Sequence, residues 1–289
     1  MSTRILTEFE LLTPNTISEA LDILDEFRDN VVPIAGGTDV LVAMKFGFST
    51  EYAMSISAIP DLDYLSFDPK KGLRIGANAT ISQILDSKAV KQHYPALWQS
   101  AKIFATPQIR NSATLIGNLL RASPAGDCSC AVYALGGSIV LVSKQGEREV
   151  DIDDLWISYQ NTERRSDELA IELRIPAPEP GSRSAFKRLT RVNEDLAKLN
   201  VAVNLVMDGD RCTHARLAMG CVAPTPLRLR VTEKQLIGQA LDGPVLKRIM
   251  ESVKEEINPI DDQRSTAEYR KSVSGVFLRR AIEQACDIS

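Results

Sequence analysis

Apolar residues in the first third of the chain recur with two alternating periods. Glu8 to Leu12 reads as a short strand. After Pro14-Asn15-Thr16, the residues Ile17, Ala20, Leu21, Leu24 and Phe27 return at helical spacing, which predicts a helix over 17–27. Val31 to Ile34 is a short β-branched run that ends at Ala35-Gly36-Gly37-Thr38-Asp39. The apolar run Val40 to Met44 beyond it reads as a helix with Thr38 or Asp39 as its N-cap. Strand, helix, strand and Gly turn make a βαβ beginning. Further strands are expected at Ala53 to Ile56 and Leu73 to Ile75, and a helix at Ile81 to Leu85.

From Ala105 to Asp127 the chain reads ATPQIRNSATLIGNLLRASPAGD, rich in Thr, Asn, Ser, Gly and Pro yet interrupted by apolar residues. It is too long and too apolar for a plain solvent loop. Strands are expected at Ser138 to Val142 and Leu169 to Ile175. The cluster Pro176-Ala177-Pro178-Glu179-Pro180-Gly181 then breaks the pattern, and the domain boundary is placed there, giving residues 1–176 and 177–289. The second part begins with strand-like segments (Ser184 to Leu189, Val201 to Met207, Ala215 to Cys221). It ends with two helical ones (Pro244 to Ile257, Ala267 to Ala285). Strands followed by helices suggest an α+β layer.

The length of 289 residues agrees with two domains. Hydrophobic residues at 44% and charged residues at 25% are ordinary globular values and argue against disorder or a disulfide scaffold. A net charge of −4 offers no pull towards nucleic acid or an anionic membrane. The N-terminal stretch MSTRILTEFELL lacks the uninterrupted apolar region of a leader, and no segment reaches the ~18 apolar residues of a membrane helix. Five scattered cysteines suit reduced thiols, so a cytoplasmic location without membrane insertion is expected.

Two histidines, His93 and His214, make a His-based metal site or a Ser-His-Asp triad a poor fit. Cys128-x-Cys130 and the separate Cys212 and Cys221 resemble neither a zinc ribbon nor a ferredoxin run. There is no Walker or Rossmann glycine pattern. The turn Ala35 to Asp39 instead joins Cβ-free backbone to a helix start, a combination that serves either as an ordinary capped turn or as a phosphate cradle. A second segment has the same ingredients, Thr114 to Asn118 followed by Ser123-Pro124-Ala125-Gly126-Asp127. Two cradles imply a long bent ligand such as a dinucleotide.

The strings Pro33-Ile34-Ala35-Gly36-Gly37-Thr38-Asp39, Ala105-Thr106-Pro107-Gln108-Ile109-Arg110-Asn111 with Ala113-Thr114, Gly117-Asn118 and Ala122-Ser123-Pro124-Ala125-Gly126-Asp127 resemble the FAD-binding (medium) subunit of the xanthine dehydrogenase family of molybdenum hydroxylases. Ser184-Ala185-Phe186-Lys187-Arg188, Glu194-Asp195-Leu196-Ala197 and Ser272 to Phe277 resemble its C-terminal domain. The resemblance implies an α+β fold: a two-subdomain FAD-binding domain of the vanillyl-alcohol oxidase-like type, followed by a C-terminal α+β domain. It further implies that Pro33, Ile34, Ala35, Gly36, Gly37, Thr38, Asp39 and Val40, with Thr114, Leu115, Ile116, Gly117 and Asn118, hold the FAD pyrophosphate. Asp127 would bond ribityl or ribose hydroxyls, and Lys187 would lie near the isoalloxazine end, where a cation stabilises the reduced flavin. Ala105, Ser123 and Leu169 complete the implied cofactor-binding set, with no catalytic or metal-binding residue in this chain.

The family writes Thr-Ile-Gly-Gly-Asn where this chain has Thr114-Leu115-Ile116-Gly117-Asn118. If the first Gly exists for a positive φ, Ile116 carries ~1–3 kcal/mol of strain or the loop takes another path. The implied function is electron transfer: non-covalent FAD passes electrons from iron–sulfur clusters to NAD or another acceptor. The chain has neither the clustered cysteines nor the length for the other centres, so a molybdopterin-bearing large subunit and a [2Fe–2S] small subunit are expected partners, in a heterotrimer or a multiple of it. The rival readings are a stand-alone flavin reductase or oxidase on the same fold, and a non-catalytic assembly subunit.

Overall fold

The computed structural model describes residues 8–288. Residues 1–7, part of the stretch read above for a leader, and Ser289 lie outside the described residues.

β1 (Glu10–Leu12), α1 (Ile17–Phe27), β2 (Val31–Ile34), α2 (Val40–Lys45) and β3 (Tyr52–Ser55) open the chain. β3 lies between β1 and β2 and runs parallel to both, pairing Leu11 with Ala53 and Pro33 with Met54. α1 starts where Thr16 Oγ1 accepts the Glu19 amide at 3.1 Å, satisfying an amide that the first turn leaves without a partner. Its apolar stripe buries Ala20 and Leu24, and its other face is charged. Asp39 occupies the N-cap position of α2 but makes no side-chain cap there. Its carboxylate pairs with Arg121 instead.

β4 (Leu65–Asp68) and β5 (Gly72–Gly76) begin a second sheet, followed by α3 (Ile81–Asp86), α4 (Lys88–His93) and α5 (Pro95–Lys102). The Thr- and Asn-rich stretch then folds into α6 (Pro107–Arg110) and α7 (Leu115–Leu120), capped by Thr106 and Thr114, and ends at the start of α8 (Asp127–Leu135). β6 (Ser138–Ser143), β7 (Gly146–Asp151), the small hairpin β8 (Trp156–Ser158) and β9 (Asn161–Thr162), and β10 (Leu169–Ile175) follow. The sheet order is β4-β5-β10-β6-β7, antiparallel throughout.

The last part is an antiparallel sheet of β11 (Ser182–Leu189), β12 (Leu199–Asp208), β13 (Arg211–Gly220) and β14 (Leu227–Arg228), then α9 (Arg230–Leu236), α10 (Gly243–Glu256) and α11 (Ala267–Cys286). The period of two gives this sheet two different faces. Ala185, Val201, Val203 and Leu217 face one core together with Ile249 and Leu278 of α10 and α11. Phe186, Ala202 and Ala218 belong to the core of the first part, beside Cys128, Ala131 and Leu135 of α8. All nine residues of α8 are buried as a result. Asp153, after β7, accepts bonds from Arg216, Arg228 and Arg230 at 2.7–3.0 Å and ties the two parts together at their edge. Among the described residues no helix is long and apolar enough to cross a membrane.

Candidate flavin-binding cleft

A cleft of about 570 Å³ opens between the first sheet, the α6–α8 region and the edge of the last sheet. Small-molecule and cofactor sites run to ~300–1,000 Å³. Pro33 to Val40 line it without interruption, and Ala105, Thr114, Ile116, Gly117, Asn118, Ser123, Asp127 and Leu169 line it from the other segments.

The two glycine-bearing segments meet at Gly36. A Cβ there would lie 1.7 Å from the Ser112 carbonyl oxygen, so only glycine lets the backbone before α7 approach this closely. Gly37 has φ +67°, which turns the chain back towards α2. The amides of Gly36, Gly37, Thr38 and Asp39 donate to no acceptor among the described residues, nor does that of Ile116. Unpaired amides on a cleft wall form a concavity suited to anionic oxygens. Asn118 does not point its carbonyl into that concavity: its Oδ1 accepts from Ser129 N and Oγ, both at 3.1 Å, and so fixes α7 to the start of α8.

Asp127 is 6% exposed. Its Oδ2 accepts Arg188 Nη1 at 2.7 Å and its Oδ1 accepts Asn200 Nδ2 at 2.9 Å, both from the last sheet. Burial raises its pKa, and the Arg188 charge and the two hydrogen bonds offset part of that rise. Each carboxylate oxygen keeps a free lone pair for a ligand hydroxyl. Next to Asp127, the Cys128 thiol is buried and pushed up to about 12 by desolvation, which makes it a packing group and not a nucleophile.

Three residues lie otherwise than the sequence suggested. Lys187 is absent from the cleft wall and Arg188 is there instead, because neighbours in a strand point to opposite faces and Phe186 and Arg188 share the face turned to α8. Leu115 is also off the wall, fully buried in the first core, with its amide bonded to Ala79 O at 3.3 Å. Ile116 carries no strain: it lies in the first turn of α7 and is not among the positive-φ residues. The loop needs no glycine there because the chain is already helical.

Sequence reasoning missed Arg164, Arg188 and Asn200. Arg188 sat in a recognised string and needed only the strand's parity to be assigned. Arg164 lies in the charged run Glu163-Arg164-Arg165, which carries no periodic signal.

Residues 7–178 match the family model described as the FAD binding domain in molybdopterin dehydrogenase. Residues 184–285 match the CO dehydrogenase flavoprotein C-terminal domain. The chain belongs to the molybdenum hydroxylase flavoprotein family. It is 31% identical over 278 residues to the carbon monoxide dehydrogenase medium chain of Afipia carboxidovorans, covering 96% of each chain. To the glyceraldehyde dehydrogenase medium chain of Sulfolobus acidocaldarius it is 30% identical, covering 96% of this chain and 98% of that one. A solved structure of reconstituted CO dehydrogenase from Oligotropha carboxidovorans superposes with a TM-score of 0.94 at 31% identity, over 99% of this chain and 100% of that one.

This flavoprotein therefore carries an FAD-binding domain of the vanillyl-alcohol oxidase-like type and is an oxidoreductase subunit. The cleft fits that cofactor on its own evidence. Its volume suits a ligand of this class, its unpaired amides suit a diphosphate, and the buried Asp127 suits hydroxyl donors.

Proposed function

We propose that the chain holds FAD non-covalently in this cleft and is the electron-output subunit of a larger molybdenum hydroxylase. The diphosphate would take the amides of Gly36 to Asp39 and of Ile116, and ligand hydroxyls would take Asp127. Residues 1–176 would form the cofactor domain and 177–289 a second domain that closes the cleft through Arg188 and the rim residues Glu194, Asp195 and Leu196. Bound FAD supplies two-electron redox chemistry between the one-electron iron–sulfur clusters of a small partner subunit and NAD or another acceptor. Molybdopterin belongs to a large partner subunit.

The observation that carries this reading is the meeting of both glycine-bearing segments at Gly36 and Ser112 around one cleft, with their amides unspent. The test is purification of the chain with its neighbouring gene products. A yellow complex containing iron and molybdenum, whose flavin stays in the supernatant after acid precipitation, is the expected result. Flavin retained in the pellet overturns non-covalent binding. A colourless protein favours an assembly subunit, and a yellow protein without iron or molybdenum favours a stand-alone flavin enzyme.

A further inference from the structure

Three arginines line the cleft, and two are already neutralised. Arg121 pairs with Asp39, and Arg188 with Asp127. Arg164 differs. Its Nη1 donates to the carbonyl oxygens of Arg165 at 2.9 Å and Glu168 at 2.6 Å, contacts that fix the guanidinium without cancelling its charge. Its Nε and Nη2 have no partner among the described residues. Of the three carboxylates that act on it, Asp29 contributes least and without direct contact, and the other two are engaged elsewhere. Glu168 is bonded by Arg148 at 2.5 Å and faces Arg165 at 3.5 Å, and Asp167 pairs with Arg28 at 2.8 Å.

Burial makes the charged form of Arg164 costlier. A guanidinium nevertheless stays ionised in a protein, so a half-buried charge whose nearest carboxylates, Glu168 and Asp167, already serve other arginines gains from a further anion. The free edge of this one lies on the wall of the cleft, where a ligand would offset it. Of the parts of FAD, only the diphosphate carries formal negative charge, and a planar fork with two free donor nitrogens matches paired phosphate oxygens.

We propose that Arg164 is a binding residue for the ADP half of FAD, serving as the cation for its diphosphate. This rests on the flavin reading above. The residue recognises the ligand and takes no part in electron exchange, so it sets affinity for the adenine nucleotide portion and leaves the isoalloxazine portion to the rest of the cleft.

The experiment uses the full chain freed of flavin, with FAD, ADP, adenosine and riboflavin each titrated calorimetrically or by displacement of FAD fluorescence. Arg164→Met should weaken FAD and ADP by a common factor of about ten to a hundred, the usual range for a charge-assisted contact. Riboflavin and adenosine, which lack the diphosphate, should bind as they do to the unmodified chain. Raising the salt concentration should weaken ADP binding more in the unmodified chain than in Arg164→Met. Arg164→Lys keeps the charge and should restore part of the loss.

Unchanged FAD and ADP affinities would overturn the proposal and leave Arg164 as a clamp on the 165–168 turn. Equal weakening of riboflavin would also overturn it, because a distorted cleft would then account for the loss. If the unmodified chain binds no FAD, the flavin reading itself fails.

Discussion

Removing the Arg188 guanidinium should expose how much of the cleft depends on one buried charge pair. Arg188 and Asp127 side chains are 5% and 7% exposed, so their attraction is little screened and neither can recover full hydration alone. In Arg188→Met the Asp127 carboxylate keeps only the Asn200 bond. The Asn193 carbonyl also loses its donor. Breaking a buried pair by deleting one partner costs ~3–5 kcal/mol. With a urea slope of ~3 kcal/mol per molar for a chain of this size, the unfolding midpoint should fall by about 1–1.7 M.

The pH dependence supplies a second check. Asp127 titrates above its unfolded value, so the folded state holds its proton to higher pH and stability declines as pH rises through that window. Loss of Arg188 raises the folded value further and deepens the penalty at neutral pH. Urea unfolding of both proteins at about pH 7 and about pH 5 should show the gap narrowing as Asp127 becomes protonated. The double variant Asp127→Asn with Arg188→Met should recover part of the loss. A cost under ~1 kcal/mol, typical of an exposed pair, would refute the reasoning, as would a gap independent of pH.

Gly36→Ala places a methyl group 1.7 Å from Ser112 O, so the two cleft walls must separate. An overpacking cost of ~1–3 kcal/mol should appear as a lower flavin-to-protein ratio on purification. Asp262 feels burial, but the bonds from Arg270 and Arg264 hold its carboxyl well below the usual carboxylate range. That stabilisation is present above the unfolded value and lost as pH falls through the folded one. Arg270→Met should therefore move the acid-unfolding midpoint, followed by circular dichroism, to higher pH. Lys187→Met should leave FAD affinity and potential unchanged in a reductive titration, and a shift of ~30 mV, equivalent to about 1.4 kcal/mol, would show that Lys187 reaches the flavin after all.

Elements with a helical apolar period or a short apolar, β-prone run were legible from the sequence. The helix expected over 17–27 is α1, and the strand-like runs beginning at Val31 and Leu169 are β2 and β10. α8 was not legible, because the segment Asp127-Cys128-Ser129-Cys130-Ala131-Val132-Tyr133-Ala134-Leu135 is covered on every side and shows no polar stripe from which a period could be read. β7 failed for the opposite reason. Gly146 to Asp151 buries only Val150 at the edge of its sheet, so its composition reads as a charged loop. In the site, the glycine turns announced themselves by composition. The choice between Lys187 and Arg188 depended on which face of a strand meets α8, a tertiary fact that no local pattern contains.

The position of α8 bears on how this chain can be divided. The Pro-rich link at 176–181 looks like a place to cut, yet Phe186, Ala202 and Ala218 beyond it fill the same core as Cys128 and Leu135 before it. A fragment ending at the link would leave one side of α8 facing water, and the remaining fragment would expose one face of its sheet. The two halves should therefore unfold as one cooperative body, a single transition in calorimetry, and express poorly apart. An exchange of C-terminal domains between relatives keeps a closed core only if α8 and the strands that cover it are exchanged together.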